Sequence, residues 1–314
     1  MRRSICSSDF RRAKYACLKP QICVNFTYKY SCLGEGRMKW KRSERLVDMT
    51  YYLLEHPHQL IPLTYFSELY QSAKSSISED LTIVKETFEE KGIGLLMTVP
   101  GAAGGVKYIP KMSEAEVRLV IHDLKAELEH SDRLLPGGYL FMTDLLGNPD
   151  LINRVGKVFA SAFADQQIDV IMTVATKGIS IAHAIARHLN VPVVVVRRDS
   201  KVTEGSTVSI NYVSGSSRRI QTMVLSKRSM KSGQRVLITD DFMKVGGTMN
   251  GMKNLLEEFD CQLAGIAVLV EAEHADETLV DDYYSLVKLH EVNEKDRTIA
   301  LSEGNYFSKR GNDK

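Results

Sequence analysis

Residues 236–248, V-L-I-T-D-D-F-M-K-V-G-G-T, constrain the fold of this chain more than any other stretch. An apolar strand delivers two adjacent carboxylates, Asp240 and Asp241, and a short loop then ends in Gly246-Gly247-Thr248 and opens a helix. Glycines let backbone approach an anion closely, and the amides at a helix start point toward it. Lys244 adds a cation and Thr248 a hydroxyl. Paired carboxylates accept hydrogen bonds from vicinal hydroxyls or face a magnesium ion through water. A phosphate and a diol held side by side describe a ribose 5-phosphate. The spacing is neither G-x-x-x-x-G-K-[ST] nor G-x-G-x-x-G. A buried strand end followed by a glycine turn, with Asp240 as a helix cap, would require no ligand. The joint occurrence of strand, two acids and G-G-T speaks against that blander alternative.

The surroundings fit such a strand. Apolar runs at 170–174, 191–196, 236–239 and 266–270 alternate with helical candidates at 150–166, 179–189 and 247–258. Near-continuous apolar strands between helices predict an α/β fold with a central, mostly parallel sheet covered on both faces. Residues 197–223 are rich in Ser, Thr and Gly and read as a long loop with a β-prone piece at 208–212. No apolar run reaches the roughly 18 residues that cross a bilayer, so no membrane partner is expected.

The amino-terminal third has a different order. Leu46, Val47, Leu53 and Leu54 mark one face of a helix over 43–56, and a short helix follows at about 63–70. Ser76-Ile77-Ser78-Glu79 reads as a capping box, with Ile77, Leu81, Val84 and Phe88 forming the inward face of a third helix. Two β-prone runs, 95–99 and 106–109, flank the glycine-rich tip Pro100-Gly101-Ala102-Ala103-Gly104-Gly105. Three helices and a hairpin make a winged helix-turn-helix. Its candidate DNA contacts are Lys39, Lys41, Arg42, Arg45, Lys74, Ser75, Ser76, Ser78 and Glu79, with Gly104 and Lys107 on the wing. Nine basic and nine acidic residues over 38–111 leave net charge uninformative here, and a docking or dimerisation module would share the pattern.

Residues 1–37 carry eight Lys or Arg against Asp9 and Glu35, so this +6 stretch hides a −4 remainder inside a chain of formal charge +2. Four of the five cysteines also lie there. This leader reads as an extension ahead of a functional start at Met38, or as a basic arm that helps hold nucleic acid. A body with one cysteine suits a reducing cytoplasm. The expected organisation is a leader 1–37, a winged helix 38–111, a connecting helix 112–132, a ligand-binding domain 133–290 and a tail 291–314.

The acid-pair segment resembles the phosphoribosyl pyrophosphate (PRPP) motif of type I phosphoribosyltransferases, over residues 133–290. Thr176-Lys177-Gly178, preceded by Ala175, is similar to that family's pyrophosphate loop. Arg197-Arg198-Asp199-Ser200-Lys201 and Ser209-Ile210-Asn211-Tyr212 are similar to the flexible loop of xanthine-type members. Leu135-Pro136-Gly137-Gly138-Tyr139 lies where such proteins place a hood over the base. With the winged helix included, residues 38–290 resemble the purine operon repressors of Gram-positive bacteria, through runs such as P-G-A-A-G-G-V-K-Y-I-P and T-E-G-S-T-V-S-I-N-Y-V-S-G-S-S. That resemblance implies a homodimer on double-stranded operator DNA upstream of purine biosynthesis genes, released by PRPP. It implies ligand contacts from Asp240, Asp241, Phe242, Met243, Lys244, Val245, Gly246, Gly247 and Thr248. Ala175, Thr176, Lys177, Gly178, Lys201, Tyr212 and Tyr139 would complete the site. It implies Mg2+ beside Asp240 and Asp241 with the ligand, no direct protein-metal site and no catalytic residue. Val245 stands where the enzymes commonly have a small residue or Thr, and no C-terminal group is evident that would read and protonate a purine. Both departures favour sensing over turnover; an active purine or xanthine phosphoribosyltransferase with an accessory domain is the alternative.

Overall fold

A computed structural model describes residues 40–312 apart from 102, 138, 200–201, 214–218 and 274–277. Lys39, Lys201 and the leader therefore lie outside the described residues. The chain divides into units 1–41 and 42–314, and the larger is described here by itself.

It begins with α1 (Arg42–Glu55), β1 (Leu60–Ile61), α2 (Leu63–Leu69), α3 (Lys74–Glu90), β2 (Leu95–Val99) and β3 (Gly105–Ile109). The strands form an antiparallel sheet in the order β1-β3-β2, with Val99 opposite Gly105 at the wing turn. Ile77, Leu81, Val84 and Phe88 are buried on α3, as their spacing predicts. The buried face of α1 is Arg45, Met49 and Leu53, an i, i+4, i+8 row, while Val47 is 72% exposed. The apolar stripe misplaces this face because a charged residue, Arg45, occupies it. Nor does Ser76 cap α3. The helix begins a turn earlier, with Ala73 at the cap and no side-chain bond, and Ile77 N–H donating to the Ala73 carbonyl. The capping box forms instead at Ser113 and Glu116, ahead of α4 (Glu114–Leu128).

Beyond α4 come β4 (Leu134–Leu135), β5 (Tyr139–Leu140), α5 (Thr143–Gly147), α6 (Pro149–Ala162), β6 (Val170–Val174), α7 (Gly178–Leu189) and β7 (Val193–Val196). Then follow β8 (Thr207–Val213), β9 (Ile220–Ser226), β10 (Arg235–Met243), α8 (Gly247–Glu257), β11 (Gln262–Ala272), β12 (Tyr284–Asn293), β13 (Thr298–Glu303) and α9 (Tyr306–Asn312). Six strands make one sheet, β13-β12-β11-β10-β6-β7, parallel throughout except for β13. One face is covered by apolar side chains of α4 to α7 and of Tyr306, the other by α8 and the β8–β9 hairpin. The expected open loop 197–223 thus contains a paired hairpin, with Tyr212 and Met223 buried. Residues 291–314 are also more than a tail. β12 runs to Asn293, Leu301 and Tyr306 are buried, and the Tyr306 hydroxyl donates to the Val158 carbonyl at 3.3 Å. An antiparallel edge strand that alternates exposed and buried positions carries too weak an apolar signal to be read from sequence.

Candidate ligand cleft and nucleic-acid surface

The cleft lies at the carboxyl ends of β6 and β10, where open α/β sheets expose their loops. Val236, Leu237 and Ile238 are fully buried and hold β10 between β6 and β11, and this fixes where Asp240 and Asp241 emerge. Thr239 and Thr173 are register partners beneath the acids, and both hydroxyls are buried with no bonding partner. Gly178 opens α7 against this floor. A Cβ there would meet Thr173 Oγ1 at 2.3 Å and Asp240 Oδ1 at 2.8 Å, so only glycine fits. The peptide between Ala175 and Thr176 is cis. On the other side, Gly246 has φ of +87° and caps α8, which turns the loop backbone into the cleft.

Two adjoining hollows of about 570 Å3 each share Lys177, Arg198, Asp241 and Thr248. The first is floored by Ala175, Thr176, Asp240 and Asp241 and walled by Arg197 and Asp199. The second runs along the Phe242–Gly247 loop to the β4–β5 hood, with Tyr139 62% exposed on its rim. Asp240 and Asp241 are only 6% and 9% exposed. Burial raises the Asp240 carboxyl well above the usual carboxylate range, with the Asp241 charge adding to it. Asp241 is also raised by burial, against a lowering influence of Lys177. The Lys177 ammonium forms a long ion pair with Asp241 Oδ2 at 4.0 Å, beyond hydrogen-bond distance. Among the described residues, then, the acid pair is held to a cation only through this long contact. Lys177, Arg198, Thr248 and the glycine-loop amides supply donors for phosphate, and the acids supply acceptors for hydroxyls. Among the described residues no cluster of three His, Cys, Asp or Glu could hold a metal by itself.

Most sequence-derived cleft residues meet here: Tyr139, Ala175, Thr176, Lys177, and Asp240 through Thr248. Gly178 serves by packing under Asp240. Tyr212 does not belong. Its ring packs on Gly251 of α8, and its hydroxyl donates to Gln221 Oε1 at 2.8 Å. Its place in the alternation of β8 turns it into the core. Arg197 and Arg198 also wall the cleft; two cations directly after an apolar strand, at the carboxyl edge of a sheet, are the sequence signal that marks them.

On the winged helix, Lys74, Ser75, Ser78 and Glu79 are exposed over the first turns of α3, with Ser76 half-buried; Lys41 is exposed, and Gly104 lies at the wing turn. Arg42 is exposed while its Nε donates to Asp80 Oδ1 at 2.9 Å. Arg45 is buried, its Nη2 and Nε 2.7 and 2.8 Å from Asp80 Oδ2, and is thereby committed to the core rather than to a phosphate. Lys107 lies mid-strand on β3, away from the wing tip. It lines a hollow of about 440 Å3 with His58, Met97, Asp165 and Gln166, where burial, with help from Lys107, pushes His58 down to about 4.

A phosphate cradle and acid pair at the carboxyl edge of a mostly parallel sheet, preceded by a winged helix, define a phosphoribosyltransferase-type domain joined to a DNA-binding module. The description "Bacterial purine repressor, N-terminal" matches residues 41–110, and "Phosphoribosyl transferase domain" matches residues 142–299. The chain is 65% identical to the purine biosynthesis transcriptional repressor of Bacillus subtilis, over 86% of this chain and 95% of that protein. It is 48% identical to the purine biosynthesis transcriptional activator of Lactococcus lactis, over 85% of this chain and 99% of that one. A solved adenine phosphoribosyltransferase from Thermoanaerobacter pseudethanolicus aligns with 54% of this chain and 99% of its own, at 23% identity and a TM-score of 0.47. The chain belongs to the family of bacterial purine repressors.

Proposed function

We propose that this protein represses purine biosynthesis genes by binding operator DNA as a homodimer in the cytoplasm, and that PRPP, held with Mg2+, releases it. The observation that carries this reading is the acid pair, buried with one long ion pair to Lys177 at 4.0 Å, next to a glycine-lined phosphate cradle. Asp240 and Asp241 accept hydrogen bonds from the ribose hydroxyls and face the magnesium ion that accompanies the diphosphate. The amides of residues 245–248, with the Thr248 hydroxyl, hold the 5-phosphate. Residues 175–177 and Arg198 take the diphosphate, and Tyr139 closes the rim. Lys201, outside the described residues, is assigned to the same ligand. On the winged helix, the exposed start of α3 enters the major groove and the wing lies along the backbone.

Linkage gives the regulatory logic: a ligand weakens DNA binding only if it binds the DNA-free form more tightly. Fluorescence anisotropy on a labelled fragment from upstream of a purine biosynthesis gene, with and without Mg-PRPP at fixed salt, tests the reading. Tight binding weakened by Mg-PRPP supports it; binding indifferent to the ligand contradicts it. The joint presence of acid pair and glycine-lined cradle in this cleft also suits a working purine or xanthine phosphoribosyltransferase, which pyrophosphate release on adding hypoxanthine, guanine or xanthine would establish. One relative's name is an activator's, so a reporter gene fixes the sign of control.

A further inference from the structure

The wing is fastened at both ends to one turn of α6. On the leading side, α3 ends in a left-handed glycine turn: Gly92 has φ of +62°, Ile93 N–H donates to the Phe88 carbonyl at 2.9 Å, and Gly92 N–H to that of Glu89 at 3.3 Å. Carbonyls at a helix end lack helical partners and carry the negative end of its dipole. The Gly92 carbonyl, just past that end, is taken by the Lys157 ammonium of α6 at 3.1 Å. Glu116, in the capping box of α4, closes the other side, since a Cβ on Gly92 would strike its Oε1 at 2.6 Å. On the trailing side, Met112 N–H donates to Ser161 Oγ at 2.9 Å, and that hydroxyl donates to the Lys157 carbonyl at 2.8 Å. β2 and β3 lie between these two fastenings.

The same turn of α6 touches the cleft's own helix. A Cβ on Gly156 would meet Ala184 of α7 at 2.6 Å, so the two helix backbones are in direct contact there. α7 in turn begins at Gly178, wedged against Thr173 and Asp240. Close-packed interiors pass displacement along rather than absorbing it. The chain of contact from acid pair to α7, α6, Lys157 and wing is unbroken.

We propose that Lys157 is the positioning residue through which ligand in the cleft alters the placement of α3 and the wing, and so DNA affinity. This rests on the reading above that the cleft's ligand controls DNA binding. The test compares wild type, Lys157→Met, which keeps the aliphatic stem, and Lys157→Arg, all as full chains. Lys157→Met is expected to bind Mg-PRPP within about twofold of wild type by calorimetry, while the ratio of DNA Kd with and without Mg-PRPP shrinks by at least about fivefold. Lys157→Arg restores most of that ratio. An undiminished ratio in Lys157→Met overturns the proposal while leaving the reading of the cleft intact. A wild type whose DNA binding ignores Mg-PRPP overturns that reading, and this proposal with it. Hydrogen exchange on the wild type needs no variant: protection of the Gly92 and Ile93 amides is expected to change on adding Mg-PRPP, and unchanged protection counts against the proposal.

Discussion

Two buried acid sites in this chain are wired in opposite ways. Asp80, on the inner face of α3, is 1% exposed and lies within 2.9 Å of two guanidinium groups, from Arg42 and Arg45. Asp240 and Asp241 are nearly as buried, yet their ion pair with Lys177 spans 4.0 Å. Desolvating a carboxylate is costly unless charge and hydrogen bonds compensate. At Asp80 the fold supplies that compensation itself, so the site is structural. At the acid pair compensation is thinner, one ion pair at 4.0 Å and the Asp241 N–H donated to Asp240 Oδ1, and the raised carboxyls fit the ligand-binding role proposed for them.

The largest expected effect breaks the first site. Asp80→Ala removes the carboxylate that accepts from both Arg42 and Arg45 and is expected to destabilise the winged helix by about 3 kcal/mol; urea unfolding of the full chain would measure it, and a loss near zero would show that the pair is solvated. Next, Gly178→Ala drives a methyl into Thr173 and Asp240. A stability loss of about 1–3 kcal/mol is expected from overpacking, together with weakened ligand binding by calorimetry.

The third effect has the opposite sign from the first. A carboxyl whose folded pKa lies above its unfolded value makes the folded state bind more protons. Stability therefore falls as pH rises from the ordinary carboxylate range to that raised value. Asp240→Asn removes this cost and is expected to raise stability at neutral pH. The gain fades toward pH 4, and urea midpoints at the two pH values check it. A loss at Asp80 beside a gain at Asp240 would confirm the contrast; equal losses at the two would erase it. The smallest effect concerns the reading surface. Lys74→Ala is expected to weaken DNA binding evenly across sequences and to lower the slope of log affinity against log salt by about 1.

The contrast also explains what the sequence disclosed. The cleft is compressed into thirteen consecutive residues whose types are dictated by backbone approach and charge, so β10, the acid pair and the start of α8 are legible before any coordinates. The parallel strands are legible because burial on both faces makes them continuously apolar. The winged helix is legible as an order of elements, but its charges are not. Whether Arg45 meets DNA or Asp80 depends on a partner 35 residues away, and Lys107 faces a hollow shared with residues near 165. Tyr212 is equally illegible, its direction being set by a strand pairing that begins beyond residue 219. β12, β13 and α9 lack a one-residue signature altogether and are held by the Ser285–Asn305 and Tyr306–Val158 bonds.

If Asp240 and Asp241 form the effector site and the effector governs DNA affinity, removing one acid must uncouple the two. The most direct test titrates wild type and Asp240→Asn onto the same operator fragment with and without Mg-PRPP. The account predicts equal DNA affinity for the two proteins without ligand, a clear weakening by Mg-PRPP for wild type, and none for the variant. A variant that Mg-PRPP releases as readily as wild type would contradict it.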